Sequence, residues 1–352
     1  MTKGLIVADY PISAIASSSR EWASNLDARI LFASDFPSPK RLLKSINEAN
    51  PPWVLFSWRE ALFDLVKLCG KSDQFRKFYK QSAVGLSIPD HLGFSNVVVA
   101  QNETLVIPSV DFVTVTSPKL QSLYKAKFPK TPIFPLFDMP NISAIADVVN
   151  EKTTKDIDVI WVGNSVWGKR QGMSDHKGYQ SHVLPLVTIL GAENPSTKVM
   201  IVDRSKSFLP HKDVLRLIAR SRFLVQFSES EGTGLPLLEA MAMGTVPLTT
   251  DVGIASLALE EFSDDLVVEN YLQAKRVIES DLDSRISGAM IDKYHQHVIR
   301  AEESVKQFRY RIEVELDSRK QRRVLMMVAS LQARSFISLI WIYRYLRGKL
   351  KP

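Results

Sequence analysis

Cysteine is almost absent: Cys69 is the only one in 352 residues. A single thiol excludes an intrachain disulfide and gives no support to a structural zinc cluster. Its place in an apolar stretch makes it a core side chain. The N-terminus, MTKGLIVADY, lacks the layout of a signal peptide and passes straight into a short apolar run. A reducing, cytoplasmic setting is therefore expected. No short-period repeat or low-complexity tract is visible. Hydrophobic residues make up 45% and charged residues 24%, which excludes an intrinsically disordered chain. At roughly 150 residues per domain the length suggests two domains with an appendage.

Acidic residues are missing from one place. Between Arg319 and Pro352 there is no Asp or Glu, but there are nine Lys and Arg. The net charge is +7, so the residues before this tail sum to −2. The nearly neutral body argues against nucleic acid as a partner. Residues 299–317 read as an amphipathic helix. Beyond them, Val324–Leu346 is apolar and aromatic, but Gln332 and Arg334 interrupt it and Arg344 ends it, so it is a poor transmembrane span. Two readings of this tail stand. It lies on an anionic membrane surface, or it packs on the N-terminal half with its charges solvated.

Short apolar runs alternate with amphipathic ones. Residues 4–9, 28–33, 53–57, 84–88 and 110–116 read as buried strands. A helix is expected over 17–26 with Ser17 or Ser18 as N-cap, and another over 119–127 capped by Ser117. Pro129, Pro132, Pro135 and Pro140 read as a linker. A second strand series follows at 157–162, 198–203, 222–227 and 245–250. Two α/β halves with parallel sheets are implied.

The chemistry concentrates in residues 222–253, RFLVQFSESEGTGLPLLEAMAMGTVPLTTDVG. The pattern is a strand, a loop with two glycines, a helix over 235–243 with Pro236 in its first turn, Gly244 at its end, and a strand. Glu239 is the only polar side chain in LPLLEAMAM. A carboxylate on a buried helix needs hydrogen-bond donors, and ligand hydroxyls are candidates. Glu231 lies eight residues earlier, at the carboxyl end of a parallel strand, where ligands of such sheets bind. The N–H groups of Gly232, Thr233, Gly234 and Leu235 offer an anion cradle at a helix N-terminus. Hydroxyl acceptors beside an anion cradle suit a nucleotide sugar.

EGTGLPLLEAMAMGTVP resembles the EGFGLPLLEAMACGTPV signature of the retaining glycosyltransferases of family 4 (glycosyl transferases group 1), with Thr233 in place of an aromatic residue. Upstream, the stretch 158–187 resembles the family's VGR…KG pattern. The resemblance implies the GT-B fold, with two Rossmann-like domains facing a cleft and a helical C-terminal extension. It places an acceptor-side domain at 1–140, a donor-binding domain at 150–298, and a crossover helix with basic tail at 299–352. It further implies a retaining transfer from a nucleotide-sugar donor to a glycan or lipid-linked acceptor in surface polysaccharide biosynthesis, with no cofactor and no metal. Glu231 is implied to contact the donor sugar, Glu239 the ribose and Lys177 the phosphates. Asn164 stands where the family has Arg, and Lys169 or Arg170 is expected to replace that cation. SIPDHLGF places His91 at the end of a strand, in the domain where the family has a His near the donor sugar. Asp90 reads as a turn or capping residue. A nucleotide-sugar epimerase is an alternative, but no convincing acid–base pair is visible. A non-catalytic nucleotide-sugar-binding scaffold is another: the presence of both glutamates opposes it, and Asn164 keeps it open.

Overall fold

The computed structural model describes residues 3–151, 153–169, 174–280 and 282–349. Arg170 lies outside this set, as do the side chains of Glu315 and of residues 317–349. Among the described residues, ten strands form two sheets. They are β1 Leu5–Ala8, β2 Arg29–Phe32, β3 Trp53–Phe56, β4 Ala83–Ile88, β5 Phe112–Val115, β6 Ile133–Pro135, β7 Ile157–Gly163, β8 Val199–Asp203, β9 Ser221–Gln226 and β10 Val246–Thr249. The first sheet runs β2-β1-β3-β4-β5-β6 and the second β10-β9-β7-β8. Every pairing is parallel. Strands β1, β3, β4 and β5 are buried along their whole length, as covered parallel sheets require of their apolar runs. Cys69 is a buried free thiol, packed in the first core.

Three local expectations need correction. Ser13, not Ser17 or Ser18, caps the helix Ala14–Leu26, its hydroxyl accepting from the Ala16 amide. Ser18 and Ser19 are instead buried within the helix. The proline-rich stretch is not all linker: Ile133–Pro135 adds β6 to the sheet edge, where a missing N–H is tolerated. The helix expected over 299–317 is part of one that runs from Leu282 to Lys349. Ser117 caps the helix Pro118–Lys127 as the sequence indicates.

The long helix ties the two sheets together. Met290 and Tyr294 join the core of the second sheet. Ala301, Val305, Phe308 and Ile312 pack with Ile6, Trp22, Trp53 and Phe112 of the first. Phe308 meets Trp53 and Phe112 edge-on, with ring centres 6.0 and 5.6 Å apart. The link between the sheets is pinned by the same helix. The Phe137 amide donates to Ser304 Oγ, and His297 Nε2 to the Asp138 carbonyl. Among the described residues, no helix is long and apolar enough to cross a membrane.

Candidate active site

The carboxyl edge of the second sheet carries most of the candidate residues. After β9 the chain turns through residues 228–234 and enters the helix Leu235–Ala242. Gly234 makes that turn with φ of +85°, a conformation that favours glycine. Gly232 lies so close to the first sheet that a Cβ there would stand 1.5 Å from the Pro89 carbonyl oxygen. The loop therefore closes against the turn holding Asp90 and His91. Among the described residues, the amides of Gly232, Thr233, Gly234 and Leu235 donate to no backbone acceptor outside regular helices and strands. That is consistent with an anion cradle. Thr233 is buried, and its hydroxyl donates to Asp138 Oδ2 at 2.5 Å, joining the loop to the link between the sheets.

Glu231 and Lys177 are bonded to each other, and the Ser228 hydroxyl donates to the same Glu231 oxygen at 2.6 Å. Burial opposes ionisation of Glu231. The Lys177 ammonium and the Ser228 hydroxyl outweigh it and hold the carboxyl below its ordinary value. Trp167, from the loop after β7, lies tilted against His176 with ring centres 4.5 Å apart. Lys177 Nζ lies 5.2 Å from the Trp167 ring centre, a cation–π contact. Burial and the adjacent Lys177 push the His176 imidazole below its ordinary value.

Glu239 is 6% exposed, on a helix that is otherwise apolar. Its donor is a residue the sequence pattern did not single out. His211 Nε2 donates to Glu239 Oε1 at 2.8 Å. That hydrogen bond outweighs burial and raises the His211 imidazole above its ordinary value.

The loop that carries Asn164 is fixed by Asp203. The Ser165 and Ser205 amides and hydroxyls give its carboxylate four hydrogen bonds. Burial opposes its charge, but these bonds hold it at about 2. In the β7–β8 register Gly163 faces Asp203, and the Arg204 amide donates to the Gly163 carbonyl. Arg204 thus stands beside Asn164, one strand away from the place where the resemblance expects an arginine. Lys169 is exposed, and Arg170 lies outside the described residues.

His91 opens a one-turn helix, Leu92–Ser95, at the end of β4. Its Nε2 is buried without a hydrogen-bond partner among the described residues. Burial and Lys119 lower the imidazole, while Asp90 and Glu231 act to raise it. His91 therefore lies within electrostatic range of Glu231, across the gap between the sheets. Asp90 does cap the turn, accepting from the Leu92 amide at 2.9 Å. It also takes an ion pair at 2.6 Å from Arg59, a guanidinium only 2% exposed that binds Glu103 as well. Arg59 also lies 3.4 Å from its neighbour Glu60, but its bonds to Asp90 and Glu103 span 31 and 44 residues, so nothing local in the sequence marks its tie to this turn.

Residues 189–301 match the family model described as "Glycosyl transferases group 1". Two curated relatives come from filamentous viruses. The chain is 29% identical over 152 residues to ORF330 of Acidianus filamentous virus 2, named as a glycosyltransferase; the match covers 40% of this chain and 45% of that protein. It is 49% identical over 43 residues to glycosyltransferase 41 of Sulfolobus islandicus filamentous virus, covering 12% and 13%. The chain thus spans less than half the length of either relative.

Among solved structures, Anabaena HepE in complex with UDP-glucose superposes with a TM-score of 0.57 at 14% identity, covering 90% of this chain and all of that one. The N-terminal domain of Candida albicans trehalose-6-phosphate phosphatase gives 0.56 at 10% identity, covering 90% and 97%. At these identities the likeness is one of fold. The fold class is α/β of the GT-B type, with parallel sheets and a C-terminal crossover helix.

Proposed function

We propose that the chain is a retaining glycosyltransferase that moves a sugar from a nucleotide-sugar donor to a glycan or lipid-linked acceptor. The observation that carries this reading is the pairing of two carboxylates at one sheet edge. Glu231 is held by Lys177, and Glu239 by His211. Both lie within the segment that matches the glycosyltransferase family model. Each has a role suited to its place. Glu239, deep among apolar side chains, accepts the ribose hydroxyls. Lys177 and the amides of residues 232–235 receive the diphosphate, and Arg204 is a further cation within reach of that edge. Glu231, released from Lys177 by the incoming phosphates, accepts a hydroxyl of the donor sugar. His91 faces that sugar from the other sheet.

Departure of the nucleoside diphosphate builds negative charge, which oriented amides and cations stabilise without a metal ion. The HepE complex contains UDP-glucose, and for this chain a uridine nucleotide is the first donor to try. The test is consumption of UDP-glucose, GDP-mannose and related nucleotide sugars, with the anomeric configuration of the product read by NMR. One donor should be consumed with retained configuration, and Glu231→Ala should stop it. Binding of a nucleotide sugar without any turnover would favour the scaffold reading.

The basic tail is proposed to meet an anionic membrane surface, because its charges flank apolar and aromatic residues. Co-sedimentation with anionic vesicles should fall as salt rises. No co-sedimentation at low salt would return the tail to packing on the protein.

A further inference from the structure

Glu239 poses a problem that its own helix does not solve. It is a single carboxylate among apolar side chains, 6% exposed, and its helix supplies no donor to it. The solution comes from the first residue of the helix His211–Ala219. The His211 imidazole, with 44% of its side chain exposed, reaches in from the solvent side to one carboxylate oxygen at 2.8 Å. A buried carboxylate with one oxygen tied is fixed in orientation, and its other oxygen remains an acceptor. Two vicinal hydroxyls need an acceptor so fixed, because each bond is directional.

We propose that His211 is the positioning residue of the nucleotide site: it orients Glu239 so that the carboxylate accepts the ribose hydroxyls, and it makes recognition of the ribose depend on pH. This rests on the reading that Glu239 holds a ribose. Charged and titratable groups around the pair are few. Arg204, at the end of β8, acts on His211 and favours its neutral form, while Glu239 favours the imidazolium. Tyr294 of the long helix feels Glu239, but burial pushes its phenol up to about 12, out of the working range. The imidazolium gives Glu239 a charge-assisted bond, and the neutral ring gives a weaker one. Recognition of the ribose therefore weakens as pH rises through the elevated His211 value.

The experiment is calorimetric titration with UDP, GDP and ADP and their 2′-deoxy counterparts, between pH 6 and 8. Native protein, His211→Ala and His211→Gln are compared, each first shown to be folded by thermal unfolding. The native protein should prefer one ribonucleotide over its deoxy form, and the preference should shrink with rising pH. His211→Ala should lose about tenfold in affinity for the ribonucleotide and much less for the deoxy form, and its preference should no longer vary with pH. His211→Gln keeps an N–H donor that does not titrate, so the preference should return in part and stay level with pH.

An unchanged preference and pH profile in His211→Ala would overturn the proposal while leaving the nucleotide site intact. Absence of binding of all six ligands to the native protein would overturn the nucleotide reading and this proposal with it.

Discussion

Lys177 and Glu231 are bonded to each other, so a diphosphate that takes Lys177 must break an ion pair and free a carboxylate. The two substitutions should therefore behave differently. Lys177→Ala removes a bond to a charged group, worth roughly 1.5–3 kcal/mol, so affinity for the nucleoside diphosphate should drop by about one to two decades. The bare nucleoside should bind nearly as before. Glu231→Ala should leave diphosphate binding level or tighter, because Lys177 is then unpaired, while sugar transfer is lost. Calorimetry with the diphosphate and the nucleoside measures both, and equal losses for the two ligands would move Lys177 away from the phosphates. Glu239 was legible because it is the lone polar side chain in LPLLEAMA. Its partner was not, since His211 lies 28 residues upstream and no local pattern says which two helices touch. Thr233 was legible through its backbone, at a helix start after glycine. Its side-chain partner, Asp138, is 95 residues away.

Two elements meet where the link between the sheets crosses the long helix, and here pH acts in opposite directions. Burial pushes Asp138 up to about 6, against the Thr233 and Ser18 hydroxyls that favour its charge. Between its ordinary value near 4 and about 6 the folded chain holds a proton that the unfolded chain has released. Stability therefore falls as pH rises through that window. Burial pushes His297 down to about 4, opposed by its hydrogen bond to the Asp138 carbonyl. Between about 4 and its ordinary value of 6.5 the unfolded chain holds the extra proton, so stability rises with pH. The two slopes offset one another in the native protein. Asp138→Asn should unmask the His297 slope, with the urea midpoint climbing more steeply than native from pH 4 to 6.5. His297→Gln keeps a donor to the Asp138 carbonyl and should tilt the profile the other way. Parallel pH profiles for all three proteins would show that neither group titrates as described.

Across the whole molecule, the alternation of apolar strands with helices made both sheets readable, and all four strands of the second sheet fall where the apolar runs are. Strand β6 was hidden because prolines read as a linker until an edge position accommodates them. The span of the long helix was hidden too. Its apolar faces serve two different cores, so no single amphipathic stripe marks its length. The gap between the sheets brings Glu231, Lys177 and His91 together from three separated stretches of chain. Everything proposed for it depends on a nucleotide with its ribose on Glu239. The direct measurement is calorimetric titration of native protein and Glu239→Gln with UDP, GDP and ADP. One of them should bind the native protein, and the amide, which cannot match a charge-assisted bond to the hydroxyls, should weaken it by about one to two decades. Equal affinity in a folded Glu239→Gln protein would contradict the account.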